Sequence, residues 1–259
     1  MSAYRAIIEK IFIDRYEAGM EAIPFTRDDI AEASQALNVR LPKNIGDVIY
    51  SFRYRAKAPE SISQTQPVGA EWVIEGAGPG KYIFKLVAIN RISPNPNLIV
   101  TKIPDATPEI IYAYALNDEQ ALLAKIRYNK LVDVFLGISA YSLQNHLRST
   151  VPNIGQIEID EVYVGIDKHG RHYVVPVQAK SGSDQLGATQ AKQDVSFCRN
   201  KYPDLYCRPV SVQFMDNQVI AMFELAIEGD RVRIVDERHY ILVPYSEINS
   251  DDLAAYSTR

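Results

Sequence analysis

The feature that most constrains the fold is a pair of strand-like segments at residues 157–166 and 172–180. The residues between them, 167–171, are typical of a turn, so the pair predicts a β-hairpin. Valine, isoleucine and tyrosine occur on both faces of these strands. Strands that are apolar on both faces are typical of a buried sheet. We therefore expect this hairpin to lie inside a central sheet.

The other segments predict an α/β (α+β) fold, in which helices flank a mixed central β-sheet. Helical spacing of apolar residues predicts helices at residues 3–16, from the N-cap Thr26 to Asn38, 43–52 and 184–200. A long helix capped by Asn117 and Asp118 is predicted to run to about 148, with a possible break at Gly137. Further strands are predicted at 71–75, 82–89, 98–102, 208–215, 219–227, 231–235 and 240–243. Residues 58–70 are rich in proline, serine and glutamine, so they predict a linker. We expect a helical region at 1–60 and a second domain at 61–259.

Composition excludes several classes of protein. The formal net charge of −4 argues against a protein that coats nucleic acid without specificity, although it allows a local basic surface. The sequence contains no apolar run of the ~20 residues that a membrane helix needs, so we expect a cytoplasmic protein without a membrane partner. The two cysteines, Cys198 and Cys207, lack the spacing of a zinc site and are expected to be free thiols.

The hairpin also carries the polar residues that suggest chemistry. Asp160 lies on its first strand, and Gln178 and Lys180 lie at the end of its second. If Ile166 pairs with His172, Asp160 faces Gln178 and Glu158 faces Lys180, with all four on one face of the sheet. A slip of one residue would place Ile159 opposite Gln178, which mixes apolar and polar groups. The first register is therefore expected, and in it Glu161 points to the other face unless a bulge turns it.

An acid on one strand, followed by acid-x-Lys at the end of its neighbour, resembles the PD-(D/E)XK nuclease superfamily, here over about residues 115–215. The resemblance implies a restriction-endonuclease-like fold and a site-specific endonuclease of the type II restriction kind, acting on double-stranded DNA. It implies that Asp160, Gln178 and the carbonyl of Ala179 bind Mg²⁺, with Mn²⁺ as a substitute, and that Lys180 is the catalytic lysine. Because a duplex has two strands to cut and this chain has one candidate site, we expect a homodimer.

Glutamine at position 178 departs from the family pattern. Its amide oxygen can coordinate a metal but brings no charge, so metal affinity should be weaker unless another acid compensates. Whether Glu158 or Glu161 also binds metal stays open. A second hypothesis is therefore a non-catalytic DNA-binding or regulatory protein that retains the nuclease fold. The plainest alternative for the hairpin is a solvated surface with ordinary charges.

Two further groups of polar residues have open interpretations. The segment from Val39 to Pro59 is the most basic in the chain, and its helices resemble a helix-turn-helix or winged-helix unit that contacts DNA phosphates. An equal alternative is a basic rim that packs on the catalytic domain. The basic residues are Arg40, Lys43, Arg53, Arg55 and Lys57. The helix after the hairpin offers Gln185, Gln190, Lys192 and Gln193, which either approach phosphates or form a solvated face.

Overall fold

The protein has a mixed α and β architecture, with helices on both faces of a mixed central sheet. The computed structural model describes residues 3–42, 44–54, 58–89, 92–114, 119–151, 155–181, 186–228 and 231–257. The helices are α1 (Ala3–Ile13), α2 (Arg27–Ala36), α3 (Gly46–Tyr54), α4 (Glu60–Ser63), α5 (Glu109–Tyr114), α6 (Glu119–Tyr128), α7 (Leu131–Leu136), α8 (Ala188–Lys201) and α9 (Ser250–Ser257). The strands are β1 (Ala22–Thr26), β2 (Ala70–Gly76), β3 (Lys81–Ala88), β4 (Val100–Pro104), β5 (Ser139–Val151), β6 (Gly155–Ile166), β7 (His172–Ser181), β8 (Tyr206–Cys207), β9 (Val210–Phe214), β10 (Ile220–Glu228) and β11 (Arg231–Val243).

The chain divides into two compact units, residues 1–89 with 149–157, and residues 90–148 with 158–259. The boundary predicted after residue 60 therefore lies inside the first unit. The reason is strand pairing, because β3 joins β1 and β2 in one three-stranded sheet with the order β1-β3-β2. None of the helices that the structure describes is long and apolar enough to cross a membrane.

The first unit packs its helices against this small antiparallel sheet. Ile7, Ile8, Ile11 and Phe12 line the buried face of α1, as their helical spacing predicts. Thr26 caps α2, since its side chain accepts a hydrogen bond from the backbone of Asp29, whose carboxylate bonds the backbone of Thr26 in return. The predicted linker at 58–70 is wrong, because α4 and the start of β2 lie there, and Ile62 of α4 is buried in the core.

The second unit is built on an eight-stranded sheet, as far as the described residues show, and seven of its strands follow the order β4-β11-β10-β9-β7-β6-β5. β6 and β7 are antiparallel, whereas β7 and β9 are parallel, so the sheet is mixed as predicted. β8 adds a short parallel pairing at the start of β7. β7 is buried along most of its length, which confirms that the hairpin lies inside the sheet.

Helices cover both faces of this sheet. One face packs against α6 and α7, with Val177 and Ala179 of β7 among its buried residues. The other face packs against α8, where Ala191 contacts the cluster that contains Phe223 of β10. Gln178 lies beside Ser211 and therefore points to the α8 face, since alternate residues of a strand point to opposite faces.

The hairpin has the predicted register. Ile166 pairs with His172, and the described ladder continues in that register to the pair of Glu161 with Val177. The apolar residues of both strands thereby share the buried faces, which is the reason for preferring this register.

One long element was predicted wrongly. The possible break at Gly137 is confirmed, since α7 ends at Leu136. The continuation to about residue 148 is wrong, because residues 139–151 form the edge strand β5. Lys130 and Gly137 both have positive φ, of 50° and 65°, and each interrupts the helical path. Glycine adopts this conformation without steric cost and commonly ends a helix. The predicted cap at Asn117 and Asp118 lies outside the described residues.

Candidate active site

The polar ends of β6 and β7 meet on the α8 face of the sheet. The Oδ2 atom of Asp160 accepts a hydrogen bond of 2.8 Å from the backbone N–H of Ala179. Asp160 is thereby fixed beside the strand that carries Gln178 and Lys180. In an extended strand the N–H and C=O of one residue point to the same side, so the carbonyl of Ala179 also points toward β6. Asp160 and Lys180 are only partly buried, which leaves this end of the sheet accessible to a ligand.

Gln178 is buried and uses its amide to join three elements. Its Nε2 donates to the backbone carbonyl of Glu158 at 2.9 Å and to Oδ2 of Asp194 at 3.0 Å. Its Oε1 accepts a hydrogen bond of 2.9 Å from Nε2 of Gln190. Gln178 therefore ties β6 and β7 to α8 and fixes the strand end that carries Lys180.

Asp194 is the site residue that sequence reasoning missed. It lies on the buried face of α8, is only 3% exposed, and its Oδ1 has no hydrogen-bond partner among the described residues. A signal for it exists in the sequence, since Ala191, Asp194, Val195 and Cys198 follow helical spacing. A carboxylate in the middle of an apolar helix stripe is costly without a partner and so indicates a special role.

Three carboxyl groups are close together here, and each has a raised pKa. Burial is the main cause for Asp160, Glu158 and Asp194, and the pKa of Asp194 is raised well above its usual 3.8. The charge of Asp160 raises the pKa of Glu158 further, whereas Lys180 lowers the pKa of all three groups. Ionisation of these three acids is therefore unfavourable unless a positive charge offsets it, and a bound cation would supply such a charge.

Glu158 belongs to the same face, as predicted, and binds residues of the neighbouring strand β5. Its Oε1 lies 3.3 Å from Nη2 of Arg148 and 3.7 Å from Nδ1 of His146. Its Oε2 is buried and has no hydrogen-bond partner among the described residues.

Glu161 points to the opposite face, as the register predicts. Its side chain is fully buried, and its Oε1 accepts hydrogen bonds from Nε of Arg127, at 2.8 Å, and from the hydroxyl of Ser142. Glu161 thus joins α6 to β5 and β6 on the far side of the sheet from Asp160. This position separates it from the candidate active site.

Comparison of the chain with protein-family models, with curated protein sequences and with solved structures found no match. The chemistry of this site therefore rests on the contacts of its own side chains. Within the described residues, no group of three or more histidine, cysteine, aspartate or glutamate side chains is arranged to hold a metal ion. Magnesium does not need such a group, because it keeps several water ligands and often uses one or two carboxylates from the protein.

The other predicted residues have different surroundings. Of the four polar residues predicted on the helix after the hairpin, Gln190 bonds Gln178 and Gln193 is buried, so a wholly solvated face is wrong for these two. Gln185 lies outside the described residues. In the basic segment Arg40 is exposed and Arg53 lies on α3, whereas Lys43, Arg55 and Lys57 lie outside the described residues.

Proposed function

We propose that the protein is a Mg²⁺-dependent, site-specific DNA endonuclease of the type II restriction kind, with a fold that resembles the PD-(D/E)XK nucleases. One observation carries the proposal. The carboxylate of Asp160 is hydrogen-bonded to the backbone of Ala179, one residue before Lys180, on a partly open end of a mixed sheet. An acid that can bind a metal ion and a lysine that can stabilise negative charge are suited to the hydrolysis of a phosphodiester.

In this proposal Asp160 and the carbonyl of Ala179 would hold the metal through hard oxygen atoms. The raised pKa values of the three nearby acids, which burial mainly causes, fit this role, because a bound cation would favour their ionised forms. The metal supplies charge neutralisation and a lowered pKa for the attacking water. Lys180 contributes a positive charge where negative charge develops on the phosphate.

We further propose that Asp194 supplies the charge that Gln178 lacks. The two side chains are in direct contact, so a negative charge on Asp194 lies next to the position of the usual second acid. Gln178 positions the strand end through its three hydrogen bonds. Its Oε1 keeps a second lone pair, so coordination of the metal by Gln178 stays a prediction.

The first unit is proposed to read DNA. Its element order is α1-β1-α2-α3-α4-β2-β3, and the β2–β3 hairpin with the helix pair α2 and α3 resembles a winged helix. Arg40 is exposed in the connection between these two helices. If Arg40 contacts a phosphate, Arg40→Ala should weaken binding to all sequences and reduce the salt dependence of binding by about one counterion.

A homodimer and a cytoplasmic location complete the proposal. The argument for the dimer is that two symmetric sites cut both strands of a palindromic sequence. Light scattering on the free and DNA-bound protein measures the assembly directly. A monomer in both states would contradict the dimer and favour the cutting of one strand at a time.

The function is tested by incubating the purified protein with plasmid or phage DNA and Mg²⁺. Discrete bands are expected, and sequencing of their ends gives the cleavage site. A smear would contradict site specificity. Intact DNA with a shift in gel mobility would favour the second candidate, a DNA-binding protein without catalysis, to which the neutral Gln178 points.

A further inference from the structure

His146 lies beside the candidate active site in an unusual backbone conformation. Its φ is 46°, in the left-handed region, which is uncommon for residues other than glycine and in which asparagine, aspartate and histidine are the most frequent of these. It interrupts an otherwise extended strand, β5. Strained backbone of this kind is retained where the surroundings require it, and it is concentrated at functional sites.

The imidazole of His146 lies near the acids of β6. Nδ1 of His146 lies 3.7 Å from Oε1 of Glu158, and the charge of His146 also lowers the pKa of Asp160. Glu158 and Asp160 are alternate residues of β6, so both face the same side of the sheet. The side chain of His146 is 51% exposed, so it is accessible to a bound phosphate.

We propose that His146 is a further catalytic residue, which donates a proton to the oxygen that leaves the phosphorus. This inference rests on the proposed endonuclease function. Nδ1 lies at ion-pair distance from Glu158, which leaves Nε2 as the atom that donates. Arg148 contacts the same oxygen, Oε1 of Glu158, and so helps to hold this carboxylate in place.

The step balances without a further reagent. Water attacks the phosphorus and releases one proton to solvent, while the bond between phosphorus and the leaving oxygen breaks. The electron pair of that bond stays on the leaving oxygen, which takes the proton from Nε2 of the imidazolium. The neutral imidazole then regains a proton from water. General acid catalysis of this kind contributes about 100-fold to 10,000-fold to the rate.

The test compares His146→Asn with wild type on two duplexes that share the mapped cleavage site. One duplex is ordinary DNA, and the other carries sulfur in place of the leaving oxygen. A thiolate leaves without a proton, so a general acid is not needed for the second duplex. Asparagine tolerates the left-handed conformation and still donates a hydrogen bond, but it cannot transfer a proton.

On ordinary DNA we expect His146→Asn to lower kcat about 100-fold or more with little change in KM. On the sulfur-containing duplex, the variant and wild type should cut at similar rates. An equal loss on both duplexes would overturn the proposal, because it indicates a positioning role. Full activity of the variant on ordinary DNA would also overturn it. If wild type cuts neither duplex, the endonuclease function itself fails.

Two other variants control for misfolding and for the loss of an unrelated histidine. His146→Gly removes the ring and relieves the backbone strain, so it should fold at least as well as wild type and show the same loss on ordinary DNA. His169→Asn changes an exposed histidine in the turn between β6 and β7, and it should leave both rates unchanged. A loss with His169→Asn equal to that with His146→Asn would contradict a specific role for His146.

Discussion

The side-chain amide of Gln178 donates a hydrogen bond to the carboxylate of Asp194, with 3.0 Å between Nε2 and Oδ2. This pair joins the strand that carries Lys180 to the helix that covers the sheet. The acid of this pair is on the helix, and the neutral amide is on the strand. An exchange of the two side chains therefore tests what the pair does.

Gln178→Glu alone should reduce stability and cleavage, because it places a second carboxylate in contact with the buried Asp194. Asp194→Asn alone should weaken the binding of Mn²⁺ and lower cleavage, since it removes a negative charge next to the metal position. The double variant restores one acid and one amide, so it should recover metal affinity and part of the activity. Metal titrations, thermal unfolding and cleavage assays on all four proteins measure these effects.

The surface variant Asp204→Asn removes one negative charge from an exposed loop and is the matched control. It should behave as wild type in each assay. A double variant that is no better than the worse single variant would contradict the exchange. Identical metal titrations for Asp194→Asn and wild type would exclude a role of Asp194 near the metal.

The raised pKa of Asp194 predicts the pH dependence of stability in the absence of metal. Because the pKa of this carboxyl is higher in the folded protein than its usual 3.8, the folded state binds more protons than the unfolded chain above that pH. The free energy of unfolding should therefore fall as pH rises from about 3.8 through the raised pKa. Glu158 and Asp160 have raised pKa values and contribute with the same sign.

Urea denaturation in EDTA at about pH 5 and about pH 8 should show a smaller loss of stability for Asp194→Asn than for wild type. The comparison between the two proteins is needed because other acids contribute to the pH dependence of stability with the opposite sign. Asp167, for example, has a pKa lowered to about 2, mainly by the backbone N–H of Arg171, and its contribution is lost only as the pH falls toward that value. Equal losses for both proteins would contradict a buried, ionising Asp194.

Asp160 and Glu161 are neighbours on opposite faces of β6, and their variants should fail in different ways. Asp160→Asn should abolish cleavage and preserve stability, because it removes a charge whose burial is unfavourable. Glu161→Gln should cost about 1–2 kcal/mol of stability, since it breaks the pair with the partly exposed Arg127. The folded Glu161→Gln protein should still cut DNA. A folded but inactive Glu161→Gln protein, together with an active Asp160→Asn protein, would contradict this assignment. The active site would then lie on the face of the sheet that carries Glu161.

Local rules predicted much of the fold. Thr26 and Asp29 form the expected cap of α2, and the alternation of apolar residues fixed the register of the hairpin. The edge strand β5 could not be predicted in this way. Tyr141 and Leu143 on it are exposed, so no apolar alternation distinguishes it from the helix before it. Its conformation depends on pairing within the sheet, which is a tertiary effect.

Part of the candidate site could also be predicted from local sequence, whereas the rest depends on tertiary packing. Asp160, Gln178 and Lys180 could be placed together because one hairpin carries them. Asp194 is 16 residues from Gln178 along the chain, and its contact with Gln178 depends on how α8 packs on the sheet. The contact of His146 with Glu158 is also a tertiary feature, since the two residues lie on different strands. Long-range packing therefore completes a site that the hairpin begins.

The central claim is that this hairpin end cuts DNA, and Lys180→Ala tests it most directly. Cleavage of plasmid DNA with Mg²⁺ is measured for wild type, Lys180→Ala and Lys168→Ala, the last being a change in the exposed turn between β6 and β7. We expect Lys180→Ala to fold, to bind DNA nearly as well as wild type, and to cut at least ~100-fold more slowly. Lys168→Ala should cut at the wild-type rate. Normal turnover by a folded Lys180→Ala protein would contradict the assignment of the active site.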